Sequence, residues 1–244
     1  MEATVRNILS ALVVLVFIFN FNCGNTRDDA SSEVAFENII EAAPLAAKLL
    51  FNNNYVTVIE FDLKSGARLP TFTLGDFTLY SLSDCEIGYL DDSRAATKEF
   101  QSGDIFWHRA GRQVMGNKGT ENARFFIVAR KTTVLPEYVL EDLDRDVSQT
   151  APKVAELLLD NDNIRVIEVN LRPGEEIKTH RGIARIVYSL NLYTINYTSD
   201  EYNFDSTVKK IFEPGYTHWH ESASHSLVNI GETPLRELIF EFKK

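Results

Sequence analysis

Three of the five histidines fall within one short stretch, Thr217-His218-Trp219-His220-Glu221-Ser222-Ala223-Ser224-His225-Ser226-Leu227-Val228-Asn229. A fourth, His180, follows the turn Pro173-Gly174. Imidazole nitrogens ligate transition metals when neutral and exchange protons near neutral pH, so such a group has three uses. His180 and His225, with His218 as a third ligand, would hold one divalent ion that polarises a carboxylate or activates water. With Arg181, Arg185 and Asn229 the same residues would hold a small polar or anionic ligand directly. As plain interior residues they would hydrogen-bond to one another, to Asn229 or to water. His218 and His220, two apart on a strand, share a face.

The elements that carry these residues repeat. Shifted by 108 positions, Ala43-Pro44 through Gly66 falls on Ala151-Pro152 through Gly174, with 11 identities in 24 positions. A shift of 112 pairs Phe100 with Phe212, Gly103 with Gly215, Trp107 with Trp219, His108 with His220 and Asn117 with Asn229. The chain is therefore a duplication, read as residues 35–136 and 149–244 joined by an acidic linker, 137–148. Each unit is expected to open with a short amphipathic helix, Pro44 to Phe51 and Pro152 to Leu159. Runs rich in β-branched and aromatic residues follow as strands: Tyr55–Leu63, Asn163–Leu171, Ala184–Tyr197, Val208–Phe212, Thr217–Glu221 and Leu235–Phe242. Short strands between Gly and Pro turns predict an all-β chain of two tandem barrels.

Gly174 with His180, and Gly215 with His225 and Asn229, resemble the two motifs of the cupin superfamily, in which jelly-roll barrels bring metal ligands inward. The resemblance implies a bicupin, with His180 and His225 at two of four ligand positions. Gly182 stands at the second histidine of the first motif, and Ile186 or Val187 at its glutamate. It allows one Fe, Mn, Ni or Zn ion in the C-terminal barrel and none in the N-terminal barrel, where Phe72 and Gln113 replace both matched ligands. That first barrel is expected to be filled by Phe61, Phe72, Phe77, Phe106 and Phe125 and to act as a packing partner. The pair would form an intramolecular pseudo-dimer. Because His220 recurs as His108 in the half without ligands, both are read as barrel or interface residues. Glu60 and Glu168 are read as paired structural charges, and Cys85 as a small interior residue.

A formal net charge of -10, without a basic run, excludes a nucleic-acid partner held by phosphate neutralisation. Ile8 to Phe21 is almost wholly apolar and ends at Asn22-Cys23, too short for a spanning helix, which needs about 20 residues. Residues 1–23 resemble a bacterial lipoprotein signal with Cys23 as the lipidated residue; an ordinary cleaved signal and an uncleaved anchor are the alternatives. Residues 24–34 read as a tether. The expected protein is extracytoplasmic, in the periplasm or on the outer surface, held to a membrane by lipid, and binds a small molecule in its C-terminal barrel. A metal-dependent enzyme acting on an organic acid or sugar, and a structural bicupin, are the competing readings.

Overall fold

The computed structural model describes residues 34–91, 94–132, 134–136, 140–200 and 207–243. The signal segment, Cys23 and nearly all of the tether lie outside them. Among the described residues no helix is long and apolar enough to cross a membrane.

The first repeat holds β1 (Val34–Ala35), α1 (Ile39–Ala42), β2 (Ala47–Asn52), β3 (Val56–Leu63), β4 (Phe72–Leu74) and β5 (Phe77–Ser81). It continues with β6 (Cys85–Asp91), β7 (Arg94–Phe100), β8 (Ile105–His108), β9 (Gly111–Gln113), β10 (Gly116–Asn117) and β11 (Ala123–Arg130). The second holds α2 (Val147–Thr150), β12 (Ala155–Asp160), β13 (Ile164–Leu171), β14 (Glu176–Gly182) and β15 (Arg185–Ser189). After these come β16 (Tyr193–Ser199), β17 (Thr207–Phe212), β18 (Thr217–His220), β19 (Ala223–Asn229) and β20 (Leu235–Phe242). Each repeat has a five-stranded sheet, β2-β3-β11-β5-β8 or β12-β13-β20-β15-β18. The second closes against the four-stranded sheet β14-β19-β16-β17, the first against two three-stranded sheets. Both are jelly rolls, so the chain is all-β.

The segments expected to be helical are strands. Ala47–Asn52 pairs antiparallel with β3, and Ala155–Asp160 with β13, each with one bulge. Ala and Leu favour a helix, but pairing covers an edge of the five-stranded sheet, and that gain overrides propensity. A helix does precede each barrel, as the single turns α1 and α2 just upstream. The expected strand Ala184–Tyr197 is two, β15 and β16, broken at residues 190–192.

Strict alternation decides what each side chain faces. On β3, Ile59, Phe61 and Leu63 enter the first barrel while Val56 and Val58 face out, and β13 repeats the pattern. The outward faces of the two five-stranded sheets pack together through Val58, Phe126, Val166, Tyr188, Leu238 and Phe240. Phe126 stacks on Tyr188 at 4.2 Å between ring centroids, and Trp219 stacks on Tyr55 across the same seam. Burying these aromatics on both sides joins the barrels into one compact unit. Glu60 pairs with Arg124 and Glu168 with Arg236, at 2.9 and 2.6 Å.

The acidic linker is more than a spacer. A 3-10 turn over Leu140–Arg145 and α2 pack on β14. Asp142 is buried and takes Arg181 Nε at 2.8 Å, while Asp146 caps α2 and pairs with Arg165.

Candidate functional site

The interior of the second barrel is built from rungs, sets of residues directly opposite one another on neighbouring strands. One rung runs Arg165 (β13), Glu241 (β20), Arg185 (β15), His220 (β18). The next runs Ile167, Ile239, Val187, His218. From the opposite sheet, β14 and β19 present His180 against His225, with ring centroids 4.1 Å apart. Between the sheets lies a cavity of about 30 Å³, lined among others by His180, Arg185, Lys210, His218, His220 and His225.

All four histidines of this repeat therefore meet. His218 Nε2 and His220 Nε2 are 2.9 Å apart, His220 stacks parallel to His225, and Tyr197 stacks on His225. Of the barrel and interface positions expected for His220, it takes the barrel: Trp219 packs at the interface, and His220, one residue on, faces inward. His108, its counterpart, also faces inward but lies against Phe77 and Phe106. Arg185 is 2% exposed, and its Nη1 donates to Ile183 O at 3.0 Å and Glu221 O at 3.3 Å. Its Nη2 lies 3.4 Å from His225 Nδ1. Lys210 Nζ sits over the Tyr197 ring at 3.7 Å.

Two expected ligand residues are elsewhere. Asn229 Nδ2 donates to Leu171 O and Thr233 O, and its Oδ1 accepts from Gly231 N–H. Asn117 makes the same three bonds in the first barrel, so this asparagine fastens a turn. Arg181 points away from His180 and binds Asp142 and Asp200. Sequence reasoning passed over Lys210, Glu237 and Glu241, although for the two glutamates a signal existed. Arg165, Arg185, Glu237 and Glu241 align with Thr57, Phe77, Phe125 and Ala129, so charges in one repeat replace uncharged residues in the other.

Burial dominates the electrostatics. It pushes His180 and His218 down to about 4, helped by Arg185 for His180 and by Lys210 and Arg185 for His218. Burial, then Arg185, holds His220 and His225 well below the ordinary imidazole range. All four are neutral at neutral pH, and the positive charge of the cavity belongs to Arg185 and Lys210. Burial raises the Glu237 carboxyl, which accepts Tyr193 Oη–H at 2.6 Å. His218 Nδ1 is buried and has no hydrogen-bond partner among the described residues.

The donor set does not fit a metal ion. Among the described residues no three His, Cys, Asp or Glu side chains converge on a common point. His218 and His220 spend their Nε2 atoms on each other, and His180 Nδ1 is engaged with Lys178 O. Where the metal-binding motif has its second histidine, a Cβ built on Gly182 would come within 2.6 Å of Arg185 Nη1. A permanent cation fills the ligand's space and opposes a second one.

No family model matches the chain, and no curated protein does. Solved structures do. The cupin 2 conserved barrel domain protein from Leptotrichia buccalis is similar over 81% of this chain and 88% of its own, at 15% identity and a TM-score of 0.49. Oxalate decarboxylase from Bacillus subtilis, a protein with Mn(II) centres, is similar over 81% of this chain and 75% of its own, at 12% identity and a TM-score of 0.56. At 12% identity the likeness to the decarboxylase shows the fold alone.

Proposed function

We propose that the chain is a bicupin whose C-terminal barrel binds a small carboxylate, with a guanidinium where a metal-binding cupin has its ion. The observation that carries this is Arg185, buried at the cavity wall, held by two carbonyls and flanked by four neutral imidazoles that can donate or accept as a ligand requires. A guanidinium matches a carboxylate bidentately, and a charge-assisted pair in a dry site is stronger than one in water. A cavity near 30 Å³ is about the volume that one water occupies in the liquid, so only the smallest carboxylates come into question, and the walls must yield to admit one. The first barrel, filled by Phe61, Phe72, Phe77 and Phe125, serves as the packing partner.

The test is calorimetric titration of the full chain with formate, acetate, glycolate and oxalate. Wild type should bind at least one, and Arg185→Ala should weaken it by ~30-fold or more, the cost of removing one partner of a buried charged contact. Elemental analysis of protein purified without chelator, beside a His180→Ala/His225→Ala double variant, tests the competing metal enzyme. Near-stoichiometric Fe, Mn, Ni or Zn lost in the double variant would overturn the guanidinium reading.

Lipid attachment at Cys23, a tether over residues 24–34 and an extracytoplasmic place rest on the character of residues 1–34. Membrane fractionation after labelling with a palmitate analogue should find label in wild type and none in Cys23→Ser.

A further inference from the structure

The rung that ends at His220 begins outside the cavity. Glu241 stands opposite Arg165 on one side and Arg185 on the other, and all three point into the barrel. They are 2, 9 and 2% exposed respectively. Arg165 in turn pairs with Asp146, the N-cap of α2, and with Asp160. In the first barrel the same rung is Thr57, Ala129, Phe77, His108. Three charges thus distinguish the repeats at one level of the barrel, and two cations flank one carboxylate. The carboxylate is incompletely used: it accepts the Ile183 backbone N–H, but Glu241 Oε2 is buried with no hydrogen-bond partner among the described residues.

We propose that Glu241, opposite Arg185 in the same rung, is the proton-accepting residue of the cavity, and that it takes up a proton when a carboxylate binds beside that guanidinium. This rests on the carboxylate reading above. While Glu241 is ionised it competes with the ligand for the field of Arg185. A bound anion adds a negative charge, so the second carboxylate in reach is driven to its neutral form. The proton comes from solvent, goes to the unpartnered Oε2 and returns on release; no bond to carbon changes. The groups facing Glu241 are Arg165 from β13, Arg185 from β15 and Asp146 at the start of α2, with Glu237 beyond Ile239 on the inward face of its own strand. Burial and Asp146 already raise its carboxyl to about 7 against the pull of Arg185 and Arg165, so the free site is poised to accept the proton.

Binding and proton uptake are reciprocal, which makes the test direct. Titrate the full chain with formate or acetate in buffers of different ionisation enthalpy from about pH 6 to about pH 8. Wild type should take up about half a proton near pH 7. Its affinity should fall roughly tenfold across that range. Glu241→Gln, neutral and of the same shape, should take up none and bind with flat affinity. Binding without proton uptake, or uptake that survives in Glu241→Gln, overturns the inference and leaves the carboxylate reading standing; no binding by wild type at any pH removes both. If the variant does not fold, the wild-type profile decides. Uptake that rises to about half a proton near pH 7 and continues above it supports Glu241, and uptake that grows only on approach to pH 4, where His180 and His218 titrate, overturns it.

Discussion

Gly182→Ala adds one methyl group, and its effect should reverse sign with the residue at position 185. The new Cβ would stand 2.6, 2.8 and 3.0 Å from Arg185 Nη1, Cζ and Nε. None of these is a tolerable contact, so the guanidinium must withdraw by about an ångström. Withdrawal stretches the bonds from Nη1 to Ile183 O and Glu221 O, now 3.0 and 3.3 Å. Losing one hydrogen bond from a charged group costs about 1.5–3 kcal/mol. Replacing glycine in a strand returns ~0.5–1 kcal/mol. The net expectation is a destabilisation of roughly 1–2 kcal/mol and at least a tenfold weaker hold on formate or acetate. In an Arg185→Ala background the obstacle is gone, and Gly182→Ala should be neutral or stabilising by ~0.5–1 kcal/mol. Whatever Arg185→Ala costs by itself cancels in the cycle. The assay is urea unfolding of the four full-length proteins, followed by the fluorescence of Trp107 and Trp219, which both pack at the seam between barrels. An equal loss from Gly182→Ala in both backgrounds would mean that the guanidinium does not sit against Gly182, and the account of the missing metal ligand would be wrong.

The buried neutral histidines make the fold acid-sensitive. His180 and His218 titrate at about 4 when folded and near their ordinary 6.5 when unfolded, so the unfolded chain binds more protons between those values and stability falls as pH falls through that window. The slope should approach ~1.4 kcal/mol per pH unit for each histidine. Urea midpoints measured from neutral pH downward should show it, and His180→Gln should flatten the curve; a flat wild-type curve would refute neutral burial. Asn229→Ala and Asn117→Ala should each cost about 2–4 kcal/mol, since each leaves two carbonyls and one N–H of a turn unpaired, with no direct loss of carboxylate binding from Asn229→Ala. Phe126→Ala should cost ~3–5 kcal/mol in the same unfolding assay, because its ring is fully buried between Tyr188 and Phe240.

The duplication made the fold legible, because repeated turns such as Gly66/Gly174 and Gly103/Gly215 need positive φ and can be matched by eye. Propensity misled at Ala47–Asn52 and Ala155–Asp160, where an open sheet edge outweighs a local preference for helix that no neighbouring residue records. His180, His225 and Arg185 were recognisable as a group through glycine and histidine spacing. For His220 the recurrence as His108 left barrel and interface both open, while its period-two relation to His218 already set the two on one face. Asn229 was expected beside a ligand, but its amide fastens a turn, and its recurrence as Asn117 was the sign of that role. Glu241 and Arg165 lay beyond motif reasoning, since no spacing joins residues 165, 185 and 241. Only the register of three strands does.

The two barrels solve one problem in different ways. A jelly-roll interior must be filled, and the first barrel fills it with phenylalanine rings at 72, 77 and 125, whose packing needs no ligand. In the second barrel the same positions carry His180, Arg185 and Glu237, polar groups that would be costly to bury unless each found a partner. Such a set is tolerable only as a network, and its end toward the cavity is where an anion would complete it. On the proposed reading an arginine rather than a metal holds the ligand, and that changes what the site can do. A metal can polarise its ligand and activate water, whereas a guanidinium binds and orients but does not itself titrate at neutral pH. Above the acid range in which the histidines titrate, a response of this barrel to pH would have to enter through a buried carboxyl near the guanidinium, and Glu241, opposite both arginines and raised to about 7, is the group we assign to it.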